Sequence, residues 1–282
     1  MEKNQLTLSI IFIIIFLIAI VIWYYKTYFY SSHEKTLLTI LEEVNYNDTS
    51  DSSQVLFVLS DLSKSKYGDY KERALDQVLN FNIVETPLLE PLVIFSLSRY
   101  YQASKSQDDW NKMRYTFDSL IERNKDLPGY FTSNGYYLYQ NTLVATSFQY
   151  LSFNKPEYKD FSIKMADFTT SFKADGTYYK YIREDLTLTE YTSSLEVLDY
   201  LLYMQDTVGK KDEIFEEEMR LNLVKSEIIP KDLFSYYLVI DVFKDESESV
   251  DVFCRILNNE LDQTTEVMDK IMLLASIIKY CD

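Results

Sequence analysis

Five carboxylates in the chain stand where acid–base chemistry is conceivable: Glu85, Glu90, Glu184, Asp185 and Glu190. Cleaving a glycosidic bond takes two such groups, about 5–5.5 Å apart for retention and about 6.5–9.5 Å apart for inversion. Glu190 falls where a helix is expected to start, and the positive end of a helix dipole favours an ionised carboxylate. That suits a base, which leaves Asp185 or Glu85 as the proton donor. A plainer account competes with this one. Glu190 then decorates a helix N-terminus, Glu184-Asp185 is a solvated turn, and a chain with 44 acidic residues gathers five near one face by chance.

Tyrosines accompany these acids. Tyr130, Phe131, Tyr136, Tyr137 and Tyr139 crowd one segment, and Tyr178, Tyr179, Tyr181 and Tyr191 crowd another. Sugar rings stack on aromatic faces while phenol hydroxyls offer hydrogen bonds. Tyr130, Tyr136, Tyr137, Tyr178, Tyr179 and Tyr191 are therefore the candidate substrate-binding residues. The competing account packs the same rings into the centre of the fold; the chain holds 25 tyrosines, and a core can take many.

Other chemistries find no footing. His33 is the single histidine, which removes Ser-His-Asp and Cys-His catalysis from the rest of the chain. A catalytic zinc site lacks ligands, and no glycine-rich phosphate loop occurs. The acidic run "DESESVD" has the wrong spacing for an EF-hand calcium loop. No cofactor and no metal is expected. Cys254 and Cys281 are too few for a disulfide framework; they are read as two buried thiols, with pairing left to whether their helices meet. The sequon "NDT" at Asn47 carries little weight alone.

These side chains need elements to hold them. "LTLSIIFIIIFLIAIVIWYY", Leu6 to Tyr25, is a twenty-residue uncharged apolar run, long enough to cross a bilayer at about 1.5 Å per residue. Bulky aromatics follow it instead of a small-residue cleavage site, so it reads as an uncleaved anchor. The chain divides into a tail (1–5), an anchor (6–30, with 6–25 in the bilayer) and a domain (31–282). Lysines flank the run almost evenly and do not set its orientation. The first 35 residues carry three lysines against two acids, a net +1, so the remainder of a chain of net charge −16 carries −17. Such a domain is repelled by nucleic acid and by the anionic cytoplasmic leaflet. Nucleic acid is excluded as a partner, and the domain is placed outside the cytoplasm.

Beyond the anchor, apolar spacing is helical nearly throughout, with about twelve helices. Only 5 glycines and 5 prolines punctuate the chain, which argues for an all-α class. Ser106 and Thr86 read as N-caps. Pro91 sharpens or delays the start of one helix. Charged helices alternate with helices apolar on most sides: 106–124 then 139–153, 155–173 then 189–204, 209–226 then 230–244. A double-layered ring or a solenoid requires that alternation. The long connections 80–86, 125–138 and 174–188 all lead into apolar helices and so gather on one face. Segments opening with Gly129 and Gly176 repeat the order glycine, aromatics, polar loop, apolar helix.

"DGTYY" followed by "TEYTSSLEVLDYLLYM", within Leu127 to Met204, resembles the α/α toroid proteins, the six-hairpin glycosidase-like superfamily. The resemblance implies a ring of helical hairpins. It also implies glycan hydrolase or lyase activity, although the superfamily includes rings with no identified activity. Two functions are expected on this basis. One is a single-pass, extracytoplasmic toroid that binds or processes a cell-surface polysaccharide. The other is a non-enzymatic scaffold subunit of a membrane assembly, and a cytoplasmic domain is a third, weaker option.

Overall fold

A computed structural model of the chain describes residues 12–21, 31–62, 66–81, 87–132, 134–191, 195–226 and 232–282. Residues 12–21 are helical (α1) and expose every side chain, from Phe12 at 74% to Ile20 at 42%. The flanks of the apolar run, 6–11 and 22–25, lie outside the described residues. Among the described residues no helix is long and apolar enough to cross a membrane.

Twelve further α-helices follow among the described residues: α2 (Ser32–Leu41), α3 (Thr49–Asp61), α4 (Gly68–Leu79), α5 (Glu90–Ser104), α6 (Gln107–Asn124), α7 (Leu138–Ser152), α8 (Lys159–Thr169), α9 (Leu195–Val208), α10 (Glu213–Ser226), α11 (Leu233–Val242), α12 (Ser247–Leu261) and α13 (Val267–Tyr280). The protein is mostly helical, in agreement with the all-α class. Local signals set many ends. Ser31 and Glu34 form a capping box on α2, and Ser106 accepts the Asp109 N–H on α6. Pro91 stands in the first turn of α5, behind a 3-10 turn at Pro87–Leu89. Thr86 lies outside the described residues.

Packing follows the amphipathic pattern. On α6 the buried side chains are Trp110, Met113, Phe117, Leu120 and Asn124, spaced three or four apart. On α11 every residue from Phe234 to Ile240 is buried, as it is for most of α5 and α7. The fully wrapped helices form the inner layer. In it α3 packs on α5, α5 on α7, α7 on α9, α9 on α11, α11 on α13, and α13 returns to α3. The other helices lie outside: α2 and α12 on α13, α4 on α3, α6 on α5, α8 on α7 and α10 on α9. Aromatic rings fill the middle of the inner layer. Phe57 stacks on Phe95 at 4.5 Å and meets Phe234 edge-on at 5.3 Å.

The C-terminal ends of the inner helices converge on a polar centre. The side chain of Asp61 on α3, 1% exposed, accepts from Arg99 of α5, from the Tyr237 hydroxyl at 2.9 Å and from the Lys279 ammonium at 2.6 Å. Lys279 and Tyr280 also donate to Asp241 at 2.9 Å each. Tyr150 and Tyr203 bond to one another beside Arg99. Burial pushes the Asp241 carboxyl up, but the Lys279 and Lys244 ammoniums and the Tyr280 hydroxyl outweigh it and hold it below the usual carboxylate range. A depressed folded value stabilises the ionised form. The contribution is therefore complete above the unfolded value of about 4 and is lost as pH falls through the lower folded value. Urea midpoints measured from pH 6 down to pH 3 are expected to fall more steeply for the native chain than for Asp241→Asn.

Two readings of the sequence are corrected. Cys254 and Cys281 are not thiols; α12 and α13 bring their Cα atoms to 5.8 Å and a disulfide joins them. The helix expected from Thr189 starts later. Leu188–Tyr191 is a strand, and helix resumes at Leu195. The alternating, threonine-rich "LTLTEYT" suits a pleated strand, and pairing with a neighbour satisfies its backbone.

Candidate functional site

Four short strands join the loops that precede α7 and α9. They are β1 (Gly135–Tyr137), β2 (Lys173–Ala174), β3 (Thr177–Arg183) and β4 (Leu188–Tyr191). Asp175 and Gly176, at φ 52° and 77°, make the tight reversal from β2 to β3, the dipeptide that a type I′ hairpin favours. Strand β3 pairs antiparallel with β1 (Tyr137 opposite Tyr181) and with β4 (Tyr179 opposite Tyr191). The two tyrosine-rich segments thus share one sheet. Gly129, matched with Gly176 in the sequence repeat, makes no such hairpin; it packs against Phe168 and Asn141.

Successive side chains of β3 point to opposite faces. Tyr178 and Ile182 turn inward, while Tyr179 and Tyr181 are half-buried and Arg183 is exposed on the other face. The rings of Tyr137 and Tyr181 lie 4.6 Å apart, and the Tyr181 hydroxyl donates to the Asn134 carbonyl. Beside them is an open hollow of about 520 Å³ lined by Asn134, Tyr181, Arg183, Glu184 and Asp185.

The structure divides the candidate residues. Tyr130, Tyr136 and Tyr178 are buried, so no sugar ring reaches their faces in this arrangement. Tyr136 packs between Phe131 and Phe168, and Tyr178 against Phe215 of α10. The Tyr130 hydroxyl donates at 2.7 Å to Glu90, which also accepts from Arg123. Burial, then the Glu90 charge, pushes the Tyr130 phenol well above its ordinary value. Glu90 therefore ties the 125–137 loop to the start of α5. Tyr137 and Tyr179 remain partly accessible.

Asp185 is exposed on the reversal between β3 and β4. The Thr187 hydroxyl at 2.5 Å and the Thr187 N–H at 3.0 Å hold its carboxyl below the usual carboxylate range. A carboxyl held that way is ionised at neutral pH and is not a proton donor. Glu190 belongs to β4, not to a helix N-terminus, so no helix dipole acts on it there. The side chains of Glu190 and Tyr191, and the whole of Glu85, lie outside the described residues.

Sequence reasoning missed three residues that build this region. Asn141 on α7 accepts the Tyr130 N–H at 2.7 Å and donates to the Tyr137 carbonyl at 2.9 Å, fastening the loop at both ends. An Asn in the first turn of a mostly apolar helix was the available signal. Tyr200 on α9 meets Tyr139 edge-on at 4.6 Å and donates to Asp232 at 3.1 Å. Asp232 in turn caps α11 through the Phe234 and Ser235 N–H groups. Nothing in the sequence pairs Tyr200 with Asp232.

A second hollow, about 360 Å³, lies between α3, α4, α5 and α6, away from the sheet. Its wall mixes Asp69, Glu72, Asp76 and Asp109 with Lys71 and Lys112. Burial, followed by Asp109, pushes the Tyr100 phenol there up to about 12. Among the described residues no group of three or more His, Cys, Asp or Glu side chains is placed to hold a metal ion. No family model matches the sequence, and no curated protein does.

Proposed function

We propose that the chain is a membrane-anchored, extracytoplasmic α/α toroid-like domain that binds a cell-surface polysaccharide on its sheet. The observation that carries the reading is the pairing of β1 with β3, which sets the Tyr137 and Tyr181 rings side by side on an accessible face next to an open hollow. Two neighbouring rings with a nearby guanidinium and carboxylates suit the stacked, hydroxyl-rich face of a sugar chain. The toroid reading draws on the cycle of contacts from α3 through α13 and back, with outer helices against α3, α5, α7, α9 and α13. The anchor reading draws on the uncharged run Leu6–Tyr25. The Cys254–Cys281 disulfide favours an oxidising compartment, and the acidic domain disfavours the cytoplasmic leaflet.

Binding is favoured over cleavage. Asp185 is held ionised, and Glu190 lacks the helix terminus that its role as base relied on. A second reading, a non-enzymatic scaffold within a membrane assembly, is favoured by the Phe57–Phe95–Phe234 plug in the inner layer.

The test is titration of the full chain, in detergent micelles, with a panel of neutral, acidic and amine-bearing polysaccharides. At least one is expected to bind. Tyr137→Ala and Tyr181→Ala are each expected to weaken that binding about 3- to 10-fold, the size of one lost aromatic contact. Absence of binding across the panel, or full affinity in the doubly substituted chain, rejects the polysaccharide reading and leaves the scaffold.

A further inference from the structure

The first and last inner helices meet where the chain closes on itself. Asp61 and Lys279, which join there, are 218 residues apart. Residues 279–282 together reach α3, α11, α12 and the start of α2. Lys279 bonds Asp61 of α3 and Asp241 of α11. The Tyr280 hydroxyl donates to Asp241 at 2.9 Å. Cys281 is bridged to Cys254 in the middle of α12. The Asp282 carboxylate accepts from the Ser31 hydroxyl at 2.9 Å and lies 3.1 Å from His33 Nδ1, at the start of α2.

We propose that the Cys254–Cys281 disulfide is a redox-operated latch on this seam: while it is oxidised α13 stays seated between α3 and α11, and once it is reduced α13 opens ahead of the other inner helices. Three observations lead there. The bridge sits at the C-cap of α13, one residue beyond Tyr280 and two beyond Lys279, so it holds in place the groups that make the seam bonds. Those bonds are ionic and polar, and a charge pair lost from a buried site leaves its partners uncompensated. Both cysteines are half-buried rather than sealed in the core, which lets a thiolate approach.

The chemistry is thiol–disulfide exchange. A dithiol reductant attacks one sulfur and forms a mixed disulfide. Its second thiol then displaces the remaining cysteine, leaving two cysteine thiols and the reductant as its own disulfide. Two electrons and two protons pass to the protein. A disulfide-bearing oxidant reverses each step. While the bridge stands, a detached α13 remains tethered to α12 through a 27-residue loop, and that restriction disfavours the open state.

Native-state hydrogen exchange on the full chain in detergent, with and without dithiothreitol, tests the latch. The amides of α13 are expected to exchange roughly 100-fold faster after reduction while those of α5 and α7 keep their protection. Should the reduced chain unfold outright, pulse labelling at increasing times after dithiothreitol is added gives the order of opening; the α13 amides are expected to lose protection before those of α5 and α7. Unchanged exchange in α13 on reduction overturns the proposal. So does simultaneous loss of protection in every inner helix after reduction, because the bridge would then guard only global unfolding.

Discussion

Asp61→Ala is expected to lower the stability of the domain by roughly 3–5 kcal/mol, the cost of stranding buried charges. The Asp61 side chain is 1% exposed and is the common acceptor for Arg99, Tyr237 and Lys279, which come from three other inner helices. Its loss leaves the Arg99 guanidinium without its carboxylate, with Gln102 as a remaining partner, and the Lys279 ammonium with Asp241 alone. Removing the acceptor also releases the bond that joins α13 to α3, so the damage is not local. Urea unfolding followed by circular dichroism reads the change as a shifted midpoint with the slope preserved. Lys279→Met is milder, because it removes one charge and leaves the Asp61–Arg99 pair intact. The two variants together are expected to cost less than the sum of their separate effects, since Lys279 and Asp61 are direct partners. A loss below about 1 kcal/mol for Asp61→Ala would mean that the centre is wetter and weaker than its geometry implies.

Gly135→Ala is the second large effect and strikes the sheet. Gly135 opens β1 at φ 152°, and a Cβ there would stand 2.4 Å from the Ile182 carbonyl oxygen and 2.7 Å from the Tyr181 hydroxyl oxygen. The nearest obstacle is backbone, so no rotamer change relieves it. Strain and overpacking together put the cost at about 4 kcal/mol, paid either as global stability or as release of β1 from β3. Release separates Tyr137 from Tyr181. Polysaccharide binding is therefore expected to fall further in Gly135→Ala than in either tyrosine variant, while the helical circular dichroism stays near native. Native affinity in this variant would show that the paired rings are not the binding surface.

The helices were legible to different degrees. Ser106, Pro91 and the acids after Ser106 announce α5 and α6 because caps and first-turn residues act through neighbours one turn away. The inner helices α7 and α11 were legible as apolar on most sides. The strand at Leu188–Tyr191 was not, because four residues of alternating pattern next to an apolar helix satisfy either period until a partner strand is known. The disulfide was missed for the same reason. Cysteine spacing along the chain does not reveal that the packing of α12 and α13 places Cys281 against Cys254.

The candidate residues show the division most plainly. Tyr130, Tyr136, Tyr137, Tyr178, Tyr179 and Tyr181 are the same residue type in two similar segments. Their composition says only that aromatic surface gathers there. Burial separates them: Tyr130 is consumed by Glu90 and Tyr178 by the face of α10, while Tyr137 and Tyr181 are left on the far side of the sheet.

Helix content, the alternation of wet and apolar helices and the uncharged leading run all come from interactions within a few residues, so the order of amino acids sufficed for them. Which tyrosines face outward, which acids are ionised and how the last inner helix is fastened to the first inner one depend on contacts between segments tens to hundreds of positions apart. Those contacts exist only once the inner helices have packed, because burial and partner charges, not residue type, set the chemistry of a side chain.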